Sequence, residues 1–131
     1  MLNGVMIVQS TVTLNNLTVD IDRHNGIYTY GSDVYLSGVN VKSYTDTLST
    51  TYSGIILRQN SYMQAIDTRI EQCNECIIAA QGSKFSAYGT VSIGSYNSRI
   101  VNFSADSTLI TGTNFSFDND ADRLAFKEYI S

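Results

Sequence analysis

Proline and tryptophan are absent from this chain of 131 residues, and histidine occurs once. Proline removes a donor from a strand ladder, so its absence suits a chain built of paired strands. Charge is scarce too, with 15 % charged residues and a formal net charge of −4. The 8 lysines and arginines are not clustered, as neutralising a phosphate backbone would require, so nucleic acid is not an expected partner. No apolar run approaches the ~20 residues that span a bilayer, so membrane insertion is not expected. The opening MLNGVMIVQS lacks a basic segment followed by a long apolar core and does not read as a signal peptide. Strand-like sequence starts almost at Met1, which reads as a piece of a longer chain. Two cysteines leave the redox compartment open.

What is present is 43 % hydrophobic residues, enough for one core in one domain, and a neutral polar surface of Ser, Thr, Asn and Tyr. The stretch GSDVYLSG places Gly31 seven positions before Gly38. The same step of seven joins Gln9 to Asn16, Asn60 to Asp67, Gly82 to Gly89 and Asp106 to Thr113, with Gly112 beside it. A serine follows the first member each time: Ser10, Ser32, Ser61, Ser83 and Ser107. Gly, Asn and Asp best tolerate positive φ, so these positions read as tight corners, Gln9 and Thr113 being the weaker members. Successive units start 22, 29, 22 and 24 residues apart. The variation is expected in one place, after the third strand of each unit, in DIDRHN, KSYTDTLSTTYS, EQCNE and GSYNS.

Each unit reads as three short strands with alternating sides. The inward residues are Val5, Ile27, Ile55, Ile77 and Ile100 on the first strand. On the second they are Val12, Val34, Met63, Phe85 and Leu109, and on the third Val19, Val41, Ile70, Ile93 and Phe117. Stacked units place equivalent residues in contact, which describes an all-β parallel β-helix of about five coils over residues 1–117. An antiparallel sandwich is the alternative, but it gives no reason for five serines in phase. Residues 118–131 differ: Asp118 to Asp120 offer N-cap side chains for a short helix that would cap the open end, a final irregular strand is the alternative, and the segment is either a cap or a linker to a missing domain.

Outward positions of the first strand are Met6, Tyr28, Ile56, Ile78 and Val101, an apolar stripe pointing away from the core. Three readings stand: an interface between copies of the chain, sugar rings stacked on Tyr28 and Tyr30, or a register misread by one residue.

The corner pairs QS, GS, NS, GS and DS, the second corners Asn16, Gly38, Asp67 and Gly89, and the openings GIYTY and GIILR span residues 4 to about 117. With these features the chain resembles a segment of the right-handed parallel β-helix of the pectate lyase type. Within that architecture it is most similar to bacteriophage tailspikes or tail fibres. The resemblance implies a homotrimer on a virion, outside the cell, whose loops or grooves contact host cell-surface polysaccharide. It also implies that five coils are a fragment of a spike. No catalytic motif of that architecture matches positions here, so no catalytic residue is carried over, and no cofactor or metal is expected.

Glycan cleavage needs two carboxyl groups ~5–5.5 Å or ~6.5–9.5 Å apart. Asp20, Asp22, Glu71 and Glu75 lie on the variable corner, and Asp67 and Glu71, four residues apart, form the candidate catalytic pair. Solvated loop charge is the simpler reading of all five. DIDRHN gathers the single histidine, His24, with acids that make it a candidate base. Cys73 and Cys76 have CxxC spacing, but a single such pair is a weak zinc signal, and Cys76 stands where Gly26 and Gly54 stand in their coils. The insertion KSYTDTLSTTYS, with Tyr44, Asp46 and Tyr52, is a candidate for hydrogen bonding to sugar hydroxyls. The leading expectation is a non-catalytic segment that attaches to polysaccharide. A polysaccharide depolymerase and a secreted bacterial adhesin are the alternatives.

Overall fold

A computed structural model describes residues 3–110 and 114–130. Among the described residues fifteen strands, numbered in chain order, form three all-parallel sheets of five. The first holds β1 (Asn3–Val8), β4 (Asn25–Tyr30), β7 (Ile55–Arg58), β10 (Cys73–Ala79) and β13 (Tyr96–Phe103), in that spatial order. The second holds β2 (Thr11–Asn15), β5 (Asp33–Ser37), β8 (Tyr62–Ile66), β11 (Lys84–Ala87) and β14 (Thr108–Ile110). The third holds β3 (Thr18–Ile21), β6 (Asn40–Ser43), β9 (Thr68–Ile70), β12 (Val91–Ile93) and β15 (Phe115–Phe117). Every third strand lies beside its predecessor, so the chain winds as a solenoid of five coils.

The expected columns are present. Val12, Val34, Met63, Phe85 and Leu109 are consecutive partners, as are Val19, Val41, Ile70, Ile93 and Phe117. Val5, Ile27, Ile55 and Ile77 follow suit on the first sheet. Side chains of the middle coils are sealed: Ile27, Val34, Val41, Ile55, Met63, Ile70, Ile77, Phe85 and Ile93 are wholly buried. Each such column puts large apolar groups out of water at the middle levels of the stack, worth up to about 1.5–3 kcal/mol per side chain.

The serines explain how the corners close. At a corner the strand turns through positive φ, at Gln9, Gly31, Asn60 and Gly82. The N–H of the following serine then no longer faces a carbonyl of the next coil. The next coil's serine hydroxyl takes its place: Ser10 N–H donates to Ser32 Oγ at 3.1 Å, Ser32 to Ser61 at 3.1 Å, Ser61 to Ser83 at 3.1 Å and Ser83 to Ser107 at 3.2 Å. Three of these hydroxyls in turn donate within their own corner, Ser32 to Tyr30 O at 3.0 Å, Ser61 to Arg58 O at 2.7 Å and Ser83 to Ala80 O at 2.8 Å. Ser32, Ser61 and Ser83 are buried, so these are protein-supplied bonds in a site from which water is excluded.

Two glycines let the coils approach at the start of the first strand. A Cβ on Gly26 would strike the Gly54 carbonyl oxygen, and one on Gly54 would lie 2.7 Å from Ile70 Cγ2 and 2.8 Å from Cys76 O. Cys76 occupies the equivalent place in its coil, as the alignment of Ile27, Ile55 and Ile77 requires.

Several expectations need correction. A register shift between Cys73 and Glu75 against β13 moves the fifth coil by one, so Val101 pairs with Ile77 in the inward column and is buried. Asn102, paired with Ile78, takes the outward place expected for Val101. Gly89 does not have positive φ. Its coil uses one more residue there, because Ala87 to Ile93 spans the same step as Ala65 to Ile70. The first corner also varies: Tyr30 stands two residues before Ser32, while Arg58, its partner, stands three before Ser61. Corner residues of the fifth coil expected at Gly112 and Thr113 lie outside the described residues.

After β15 the chain forms α1 (Asp120–Ile130). Asn119 is the N-cap, its Oδ1 accepting from Asp122 N–H at 2.8 Å, and acidic residues fill the first turn. Phe126 is buried with its ring 4.7 Å from that of Phe115 and 5.1 Å from that of Phe117, so the helix closes the last coil. Asp122 accepts from the Tyr96 hydroxyl at 2.6 Å, tying the helix to β13.

Two outcomes follow from these bonds. Ser61→Ala removes the acceptor of the buried Ser32 N–H and should cost about 1–3 kcal/mol in urea unfolding, against a few tenths for Ser10→Ala at the exposed first corner. The bond to Asp122, aided by burial, pushes the Tyr96 phenol up to about 12. The fold thus favours protonated Tyr96. Its contribution is complete below the ordinary phenol value of about 10 and is lost as pH rises from there through the folded value. Thermal unfolding of the wild type should therefore fall over that window more steeply than that of Tyr96→Phe; parallel curves would refute the assignment.

Candidate functional site

The longest irregular segment lies where the chain passes from β6 to β7. It leaves the coil after Ser43 and rejoins it at Ile55. Hydroxyls organise it locally: Ser43 Oγ meets Thr45 Oγ1 at 3.2 Å, Thr45 Oγ1 meets Thr47 Oγ1 at 2.7 Å, and Ser49 Oγ accepts from Tyr52 N–H at 3.0 Å. Asp46 turns the chain with φ of 58°.

Gln72, on the corresponding corner one coil further, holds this insertion by three hydrogen bonds and is itself bonded to the next coil by a fourth. Its Oε1 accepts from Ser43 N–H at 3.2 Å, and its Nε2 donates to Asp46 Oδ1 at 2.7 Å. Its carbonyl accepts from Ser49 N–H at 3.1 Å, and its own N–H donates to Ser95 O at 2.7 Å. Asn74 N–H donates to Tyr52 O at 2.8 Å, two residues further along the same corner. Gln72 was not among the expected site residues. Its partners lie 23 to 29 positions away, and no local pattern marks it.

Between the insertion and the preceding corner is a recess of about 180 Å³, lined by Asp22, Arg23, Thr45, Thr47, Ser49 and Tyr52 among others. Its walls carry hydroxyls, which both donate and accept, one carboxylate and one guanidinium. Tyr52 is half-buried and packs against the core, whereas Tyr44 is 67 % exposed on the same insertion. Of the three expected residues of the insertion, Tyr52 lines the recess, whereas Tyr44 and Asp46 are not among its lining residues. Tyr28 and Tyr30 lie elsewhere, on the outer face of β4, with Tyr30 at the strand end remote from the insertion.

The candidate carboxylates are arranged differently. Asp67 and Glu71 flank β9 at its two ends, where extended backbone sets their Cα atoms about 13 Å apart. The Glu71 carboxylate receives Arg69 Nε at 2.6 Å. Arg69 also donates to both oxygens of Asp118, at 3.1 and 2.8 Å, fastening the chain before α1 to the middle of the solenoid. The bond from Arg69 holds the Asp118 carboxyl below the usual carboxylate range, and its carboxylate partners push the Arg69 guanidinium further up. Gly94 makes room for this arrangement, since a Cβ there would lie 2.6 Å from Glu71 Cβ and 2.7 Å from Arg69 Nη2. His24 Nδ1 lies 2.9 Å from Asn25 O, the backbone neighbour, and Glu75 pairs with Arg99 at 3.7 Å. Among the described residues no group of three or more His, Cys, Asp or Glu is placed to hold a metal ion.

No protein-family model matches the chain, and neither a curated protein nor a solved structure is similar to it. Any functional reading therefore comes from the chain's own geometry and the sequence resemblance.

Gln72→Ala removes both side-chain bonds to the insertion but leaves the apolar columns intact. Proteolysis within residues 44–53 should accelerate severalfold while global unfolding shifts by about 1 kcal/mol or less. Unchanged cleavage would mean that Gln72 does not hold the segment.

Proposed function

We propose that the chain is a non-catalytic receptor-binding segment of a bacteriophage tailspike or tail fibre, working outside the cell to attach the virion to a host surface polysaccharide. The observation that carries this reading is the hydroxyl-lined recess, a polar irregularity on an otherwise regular coil. Sugar hydroxyls both donate and accept hydrogen bonds. Thr45, Thr47 and Ser49 can serve either role, Asp22 accepts, Arg23 donates, and the Tyr52 ring offers an apolar edge. A recess of this size suits one or two sugar units of a longer glycan, held on one open side.

The second part of the proposal is assembly as a homotrimer through the outer face of the first sheet. Met6 is 55 % and Val8 45 % exposed there, Tyr30 is 37 % exposed, and Tyr28 and Ile78 are half-buried. Such a neighbouring set of apolar groups is a surface with a use. Ile56, at the centre of the stripe, is already buried by its own chain and adds little contact area.

The reading predicts that one or more capsular or O-antigen polysaccharides bind the wild type in surface plasmon resonance. Tyr52→Ala combined with Thr47→Val should weaken that binding about tenfold or more, near 1–2 kcal/mol. The mass in solution should be that of a trimer, reduced by Met6→Asp. Binding that the double variant leaves unchanged, or a chain that binds no glycan of a broad panel, contradicts the proposal. Release of reducing ends or unsaturated products would turn it toward a depolymerase.

A further inference from the structure

Cys73 and Cys76 are both buried, and Cys73 Sγ donates to Cys76 Sγ at 3.3 Å with no disulfide between them. Both side chains are buried although they are only three positions apart; Cys76 stands at the place of Gly26 and Gly54, where a Cβ meets the core side chains of Val41 and Ile70. A disulfide bond is about 2 Å long, so the sulfurs have a gap of about 1 Å to close. The residues in and around this short segment are those that hold the insertion. Gln72 immediately precedes Cys73. Asn74, between the two cysteines, donates its N–H to Tyr52 O at 2.8 Å, and its Oδ1 accepts from Asn97 Nδ2 at 2.8 Å.

We propose that Cys73 and Cys76 form an intramolecular disulfide, a redox-set lock on the corner that anchors residues 44–53. This does not rest on the attachment reading and holds or fails independently of it. The oxidant is a low-molecular-weight disulfide of the glutathione type. One cysteine thiolate attacks it, forming a mixed disulfide and releasing one small thiol. The second cysteine then attacks the protein sulfur of that mixed disulfide and releases the other small thiol. Two protein S–H bonds are lost, one S–S bond forms, and the two electrons reside in the two thiols released. The second step is intramolecular between neighbours in van der Waals contact. The first is slow in the closed coil, since both sulfurs are shielded, and contact with Cys73 and burial push the Cys76 thiol up. Exchange therefore proceeds through local opening of the corner, and once closed the disulfide is shielded from reduction in the same way.

The test uses the full chain in glutathione buffers of graded oxidised-to-reduced ratio. Equilibrium is approached from both the reduced and the oxidised side, with sub-denaturing urea to permit opening. Free thiols are trapped with iodoacetamide, and the tryptic peptide between Arg69 and Lys84, which holds both cysteines, is weighed. The expected result is a peptide lighter by two hydrogens and unalkylated at oxidising ratios, on a chain with unchanged far-UV circular dichroism. Cleavage within residues 44–53 should then be severalfold slower than in the reduced chain. Two alkylated cysteines at every ratio, a stable glutathione adduct, or loss of the folded spectrum on oxidation overturns the pairing. Equal cleavage rates in the two forms overturn the lock.

Discussion

The structure depends on one requirement: every coil must lie flat on the next, including at the corners where a strand turns. Sheets satisfy this along their length, because parallel ladders pair each backbone group with the coil above and the coil below. Corners break the ladder. At the first corner of each coil the break falls on one N–H, and a serine hydroxyl from the following coil repairs it four times in succession. The serine must be small enough to sit inside the stack, must accept a bond, and must have a carbonyl in reach for its own proton. Only then can apolar columns such as Val34, Met63 and Phe85 come into contact level after level. Parallel sheets with both faces engaged elsewhere are usually covered by helices. Here the other side of each sheet is the solenoid's surface, and a single helix closes one end.

The same requirement explains what was legible in the sequence. Period-two alternation fixes which side chains face inward, and a constant step between serine and second corner fixes which residues stack. The columns through Val12 and Val19 were therefore readable at every level, whereas the C-terminal segment was open between a helix and an irregular strand. What escaped were local changes of length by one residue. The extra residue of β13 between Tyr96 and Arg99 hides from pattern reading because it exchanges one apolar residue, Ile100, for its apolar neighbour Val101. The extra residue near Gly89 hides for a related reason, since glycine there suggests a left-handed turn while its real role is to clear Ile66. Gln9, Gln59 and Gln81 adopt positive φ without being residues that favour it, so the stack, rather than local preference, sets their backbone.

Contacts between coils were less legible than the coils themselves. Arg69 meets Asp118 across 49 positions, and Gly94 leaves room for that guanidinium and for the Glu71 side chain beside it. Gln72 joins an insertion that begins nearly thirty residues earlier. These contacts depend on side chains reaching past their own level, which no repeat encodes. They also make the third corner the most individual part of the molecule: it carries the hydroxyl-lined recess, its anchor and the paired thiols. Variation is accommodated where the coil can widen without moving its columns.

The central claim is that serine hydroxyls seal the corners of a continuous parallel stack. It is tested most directly by amide hydrogen exchange, resolved residue by residue by nuclear magnetic resonance, at Ser32, Ser61 and Ser83. The account predicts that these three protons exchange as slowly as those of Val34, Met63 and Phe85 in the strands beside them. Exchange at the rate of exposed turn amides, with the neighbouring strands still protected, would contradict it.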